Sequence, residues 1–370
     1  MKIPLAQPYI GEEEIREVLG VLRTPTLSIG PKLDEFEKLV AQYVGAKHAI
    51  AVNSGTSALH LCIRSFNIAD GDEVITTPFS FVASANCILF ERAKPVFVDI
   101  DPDTLCIHPD KIEEMVTQRT KAILPVHVFG HPADMEAIKR IAGKYNLVVI
   151  EDACEAIGAE IKGRKAGTFG DAATFAFYPN KQITTGEGGV IVTDDDRVAE
   201  LCRSMRSQGR ASDGGWLYHE RLGYNYRMPE LSAALGVAQM RKLTKILAMR
   251  QRVADQYNER LKDIPGVQLP YQDRRVKMSW FVYVIRLAPH INREKIISSL
   301  TEAGIGCKPY FPAIHLQPFY VAEFGYKEGD FPITEEVASQ TVALPFYTSM
   351  TGLEIDYVGT KLEEAIRTLS

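Results

Sequence analysis

Residues 171–192 read DAATFAFYPNKQITTGEGGVIV. The first part, DAATFAFY, is apolar and β-prone, and GGVIV reads as a second buried strand. Between them a Pro-Asn pair and a Thr/Gly run hold a single ammonium group, Lys181. A lone lysine is ordinarily a solvated surface charge, and a Gly-rich run is ordinarily a turn. Lys181 acquires another meaning only if the rest of the chain supplies partners that fit one chemistry.

Outward from this stretch the texture is regular. HAIAV leads into TSALHLCIRSF, EVITTP into SANCILFERA, PVFVDI into PDKIEEMV, and KAILPVHV into ADMEAIKRIAGKY; LVVIED, ATFAF and GGVIV follow. Short, near-continuously apolar strands alternating with helical stretches argue an α/β domain whose mostly parallel sheet is covered on both faces. In such sheets ligands sit beyond the carboxyl ends of the strands. After Pro229 the segment ELSAALGVAQMRKLTKILAMRQRVADQYNERLKDI predicts one helix of some thirty-five residues, ending at IPGVQLP. Beyond it SWFVYVIRL alternates as a strand, and REKIISSLTEAG and GLEIDYVGTKLEEAIRTL read as helices. The expected organisation is a large domain over 1–250, including an N-terminal arm, and a smaller α+β domain over 251–370.

Bulk properties exclude several classes. The chain has 370 residues, 46% hydrophobic, with a net charge of -5 and Lys and Arg spread along its length. That balance gives no footprint for nucleic acid or a membrane surface. The N-terminus lacks the apolar core of a signal peptide, and no run of about 18 apolar residues occurs. Six cysteines are scattered without a C-x-x-C pair, so neither structural zinc nor a disulfide framework is expected. A cytoplasmic protein with reduced thiols and no metal is the simplest reading.

Four features fall at predicted strand ends. NSGTSAL, residues 53–59, follows a strand and opens a helix. Its Gly55, Thr56 and Ser57 N–H groups suit an anion such as a phosphate, or the motif is an ordinary N-cap by Ser54 or Thr56. In VVIEDACEA, Glu151 and Asp152 end an apolar strand; Asp152 suits a cationic ring nitrogen, or caps a following helix. In TPFSFVASAN, Phe81 suits stacking on a flat ligand ring, or a place in the core. Lys181 is the fourth, 29 residues beyond Asp152. His127, at the end of another apolar strand, reads as structural. Together these are the parts of a pyridoxal phosphate site: an amine for a Schiff base, a carboxylate for the pyridine nitrogen, and a cup for the phosphate.

The stretches NSGTSALHL, PFSFVASANCI, VIEDACEAIGA, FYPNKQITTGEGGVIVTDD and RLGYNYRMPELSAALGVAQM resemble the DegT/DnrJ/EryC1/StrS group of nucleotide-sugar aminotransferases, in the right order. The resemblance implies the fold-type I, aspartate-aminotransferase-like architecture and a homodimer with shared active sites. It also implies a nucleotide-sugar substrate and L-glutamate as amino donor. It makes Lys181 the Schiff-base lysine, Asp152 the pyridine-nitrogen partner, Phe81 the stacking residue, and Gly55, Thr56 and Ser57 the phosphate cup. Asn225 resembles the asparagine that reaches the phosphate from the other subunit. Arg227 orients that loop or binds substrate. His315 and Tyr320, in FPAIHLQPFY, fall where the smaller domain covers the site and are candidate substrate contacts.

Two positions depart from the family pattern. Where many members have a phosphate-binding serine this chain has Ala176, with Thr174 or a water as the expected replacement. Near the cofactor hydroxyl, where many have Gln or His, it has Glu155. Glutamate there resembles the perosamine-synthase branch, which aminates C4 of a GDP-linked 4-keto-6-deoxy sugar; an unrelated hydrogen-bonding role is the other reading. Transfer to a 3-keto sugar or a cyclitol ketone, and a regulatory protein retaining the fold without turnover, are the alternatives. A dinucleotide site is disfavoured because GEGG lacks G-x-G-x-x-G spacing.

Overall fold

The computed structural model describes residues 1–211 and 217–369. Its largest sheet has seven strands, in the order His48–Val52, Gly189–Thr193, Ala172–Ala176, Val148–Asp152, Thr120–Ile123, Glu73–Thr76 and Lys94–Phe97. All neighbours pair parallel except Gly189–Thr193, which runs against both of its neighbours. Lys181 therefore lies on the connection between antiparallel strands, beyond the carboxyl end of Ala172–Ala176. The apolar strands are explained by burial on both faces. Ala49 and Ala51 pack with Phe36 and Val40 on one side, while Ile50 and Val52 pack with Leu59 and Ile63 on the other. That is the period-2 alternation of a strand between two helical layers.

A second core gathers Val253, Tyr257, Trp280, Tyr283, Leu300, Leu344 and Ile366, and also takes Ile3 from the N-terminus. Its sheet has three strands, Val267–Gln268, Tyr283–Leu287 and Thr341–Leu344. Helices Arg293–Glu302 and Gly352–Leu369 fall where the sequence predicts them.

Two expectations need correction. The long helix after Pro229 is two helices, Glu230–Arg241 and Leu243–Leu261, broken at Lys242 (φ -112, ψ 9). The first half packs on helices Glu12–Leu22 and Pro31–Val44, the second on Gly352–Leu369, so each half follows its own partners. Glu14 holds the break: its carboxylate accepts from Gln239 Nε2 at 2.7 Å and pairs with Lys242. The N-terminal arm itself contains those two helices, Glu12–Leu22 and Pro31–Val44. PDKIEEMV makes only one short turn, Pro109–Ile112, continued by Glu113–Met115 as a 3₁₀ turn.

The two cores meet at a tight junction. Gly130 has φ +87, and a Cβ there would lie 1.8 Å from the Ser279 carbonyl oxygen. The Gly130 carbonyl accepts the Ser279 N–H at 3.0 Å. An L-residue at this position meets both left-handed strain and backbone overlap. Gly130→Ala is expected to cost about 3 kcal/mol or more, read as a lowered urea midpoint with an unchanged slope.

Candidate active site

The carboxyl end of Val148–Asp152 carries two adjacent carboxylates, and strand alternation sends them to opposite sides. Glu151 is fully buried. It accepts N–H groups from Gly167 at 2.8 Å, Phe169 at 2.7 Å and Gly170 at 2.6 Å, and His127 Nε2 at 2.9 Å. His127 Nδ1 accepts the Ala133 N–H at 3.1 Å, so the ring proton sits on Nε2 and points at Glu151. Burial alone would raise the Glu151 pKa; these donors outweigh it and hold the carboxyl below its usual range.

Asp152 faces a cavity of about 540 Å³, a volume suited to a cofactor with part of a substrate. No helix follows it, so it is not a helix cap. Its Oδ1 accepts the Cys154 N–H at 3.1 Å and its Oδ2 accepts from Ser84 Oγ at 2.7 Å. Lys181 lines the same cavity, with Nζ 3.3 Å from Glu155 Oε1 and 3.8 Å from the centroid of the Phe281 ring. The next residue, Gln182, fixes this loop by donating Nε2 to the Glu155 carbonyl at 2.6 Å and to Ser279 Oγ at 2.8 Å. Burial pushes the Glu155 carboxyl up, outweighing the Lys181 charge and the Phe129 N–H that pull it down.

Gly55 and Thr56 line the cavity at the start of helix Gly55–Ser65. The first N–H groups of a helix have no intrahelical acceptor. A Cβ on Gly55 would meet Ala176 Cβ at 2.7 Å and Cys154 Sγ at 3.2 Å, so the close packing here needs two small residues. Phe81 also lines the cavity and is 61% exposed, a large aromatic left outside the core.

Other expected contacts are absent from this cavity. Ser57 is set apart because Ser54 is the N-cap: Ser54 Oγ accepts the Ser57 N–H at 3.1 Å, and Ser57 Oγ donates to Asn53 Oδ1 at 2.7 Å. Thr174 does not replace the serine missing at Ala176; it is fully buried, 3.5 Å from Cys154 Sγ. Tyr178 is the hydroxyl-bearing residue of that segment on the cavity wall. His315 is fully buried against Phe331, with Nε2 3.0 Å from Glu335 Oε1, and is a structural histidine. Tyr320 lines an adjoining annex and spends its hydroxyl on Asn86 Oδ1 at 2.7 Å. Asn225 is exposed and does not line the cavity. Arg227 donates to Gln208 Oε1 at 2.6 Å and ties down the loop. Sequence reasoning missed Ser80, Asn180, Phe281 and Tyr310, all on the cavity wall. Phe281 and Tyr310 come from the second half of the chain, and no local motif marks them.

A family model described as the DegT/DnrJ/EryC1/StrS aminotransferase family matches residues 8–363. The chain belongs to this family. Among its relatives is the GDP-perosamine synthase of Caulobacter vibrioides, 38% identical and covering 99% of this chain and 98% of its own. Another is the pleiotropic regulatory protein of Geobacillus stearothermophilus, 40% identical over 96% of this chain and 95% of its own. The structure of NtdA from Bacillus subtilis with bound cofactor PMP matches with a TM-score of 0.90 and 33% identity, covering 97% of this chain and 83% of that one. The seven-stranded sheet with its one reversed strand is thus the fold-type I architecture of this aminotransferase family.

Glu151 accepts four hydrogen bonds and donates none. In Glu151→Gln an amide NH₂ would face a donor. The loss is expected at about 3 kcal/mol at pH 7. Because the folded pKa is depressed, this stabilisation is present above the ordinary carboxylate range and lost as pH falls through the folded value. Urea unfolding at several pH values should show the gap between wild type and variant closing below about pH 4.

Proposed function

We propose that this sugar aminotransferase moves the amino group of L-glutamate to the ketone of a nucleotide-linked 4-keto-6-deoxy hexose. The observation that carries the reading is the meeting of Lys181 and Asp152 in one cavity beside the Gly55–Thr56 helix terminus. Pyridoxal phosphate is the cofactor, and the residues fit it. Lys181 offers the amine, Asp152 a carboxylate for the ring nitrogen, the Gly55 and Thr56 N–H groups an anion cup, and Phe81 a stacking face. Asn180 Oδ1, on the same wall, is buried with no partner among the described residues and remains an open acceptor. When bound, the cofactor supplies an electrophilic aldehyde and an electron-accepting ring.

The chain's own groups do the rest. Glu155, 3.3 Å from Lys181 Nζ and with its carboxyl pushed up, is the local acceptor for the ammonium proton. Lys181 Nζ, freed as an amine, then carries a proton to and from substrate carbon. Glu155 together with the GDP-perosamine synthase relative supports a 4-keto sugar. The regulatory relative supports a second reading, a protein that keeps the site without turnover.

The same reading makes the protein a homodimer with shared sites. Asn225 is exposed, in a segment that also exposes Leu217 at 72% and Leu222 at 67%. Such apolar exposure suits a contact face. Mixing inactive Lys181→Ala with inactive Asn225→Ala under subunit exchange should restore part of the activity. No recovery despite proven exchange would count against sharing.

The direct test incubates purified protein and glutamate with GDP-linked 4-keto-6-deoxy hexose, a 3-keto nucleotide sugar and a cyclitol ketone. Amino-sugar formation is expected with the first, and none with Lys181→Ala. Borohydride reduction should leave a pyridoxyl label on the wild-type peptide containing Lys181 and none on the variant's. A labelled wild type that turns over no ketone would favour the regulatory reading.

A further inference from the structure

Asp152 stands at one end of a chain of buried hydroxyls. Its Oδ2 accepts from Ser84 Oγ at 2.7 Å, and Ser84 Oγ lies 2.8 Å from Ser80 Oγ. Asp152, Ser84 and Ser80 are 4%, 1% and 5% exposed. The directions of these bonds follow from the chemistry. An ionised carboxylate only accepts, so Ser84 spends its one proton on Asp152. Ser84 then has only lone pairs to offer Ser80, and Ser80 must donate to it. Ser80, on the cavity wall, keeps lone pairs alone for a ligand. Its rotor, ordinarily free to donate or accept, is set by the charge at the far end of the chain.

The Ser84 bond to Oδ2 and the Cys154 N–H bond to Oδ1 hold both ends of the carboxylate. A group fixed in this way needs no reorganisation when it meets a cationic ring nitrogen. The titratable groups around Asp152 include Lys181 and Glu155 on the same cavity wall, and the Cys62, Cys87 and Cys154 thiols, all three pushed up by burial and therefore neutral.

We propose that Ser84 is a positioning residue for Asp152, and that Ser80 is thereby set as a hydrogen-bond acceptor on the cavity wall. This rests on reading Asp152 as the ring-nitrogen partner of bound pyridoxal phosphate. No sequence motif marks either serine for this role.

The test uses holoenzyme loaded with cofactor labelled with ¹⁵N in the pyridine ring. The ring-nitrogen shift is titrated against pH in wild type, Ser84→Ala, Ser84→Thr, Ser80→Ala and Asp152→Asn. Kinetics with glutamate and thermal unfolding of each variant accompany it. In Ser84→Ala the ring nitrogen is expected to lose its proton about one pH unit lower. There kcat should fall roughly tenfold, with KM for glutamate nearly unchanged. Threonine, which keeps the hydroxyl, should restore the nitrogen's titration. Ser80→Ala should move it in the same direction by less. A nitrogen unmoved in Ser84→Ala but moved in Asp152→Asn overturns the proposal and leaves Asp152 in its role, even if kcat has fallen. A nitrogen unmoved in both overturns the reading of Asp152 as well. A larger shift in Ser80→Ala than in Ser84→Ala overturns the order of the chain.

Discussion

The alternation of side chains along Val148–Asp152 is the constraint on which the rest of the site depends. Two carboxylates end an apolar strand, and the pleat forces them to opposite faces. On one face Glu151 is closed in by three backbone N–H groups and His127, which fixes the loop at 167–170 to the strand end. On the other, Asp152 meets the cavity with two protein donors on its oxygens. Neighbouring charges of one chemical type thus take different tasks. Burying them is tolerable because each is hydrogen-bonded on arrival.

The Lys181 ammonium is held by a similar division between neighbours. Lys181 points to the cavity while Gln182 points away and binds the Glu155 carbonyl and Ser279. Ser279 belongs to the second half of the chain and docks on Gly130, so the lysine loop, the Glu155 turn and the second core share one junction. Phe281, two residues past Ser279, places its ring under the ammonium. The position of Nζ is therefore set by residues more than a hundred positions apart in sequence.

The segment carrying Asn225 shows alternation once more. Tyr224 and Tyr226 stack on each other, with centroids 4.9 Å apart, and both rings lie near His60. His60 and Glu91 pair at 2.8 Å beneath them. Asn225, between the two tyrosines, is left exposed. The same helix that presents Gly55 and Thr56 to the cavity thus carries, one turn further on, the histidine that seats the Asn225 loop.

Much of this was legible in the sequence, because it was local. Apolar strands alternating with helices are a pattern of hydrophobic period, and the sheet has the parallel core that this pattern demands. Lys181, Asp152, Gly55 and Thr56 were legible because each sits in a short motif at a strand end, where parallel topology gathers ligand-facing groups. The break at Lys242 was not, since no proline or glycine marks it and the two halves pack on helices distant in sequence. Nor were the fates of His315 and Tyr320, whose Nε2 and hydroxyl meet Glu335 and Asn86 instead of the cavity. A sequence shows which chemical groups are present and at what local spacing. Which group spends its hydrogen bonds on the protein and which keeps them for a ligand is settled only when distant segments pack, because a hydrogen bond depends on ångström distances that sequence separation does not encode.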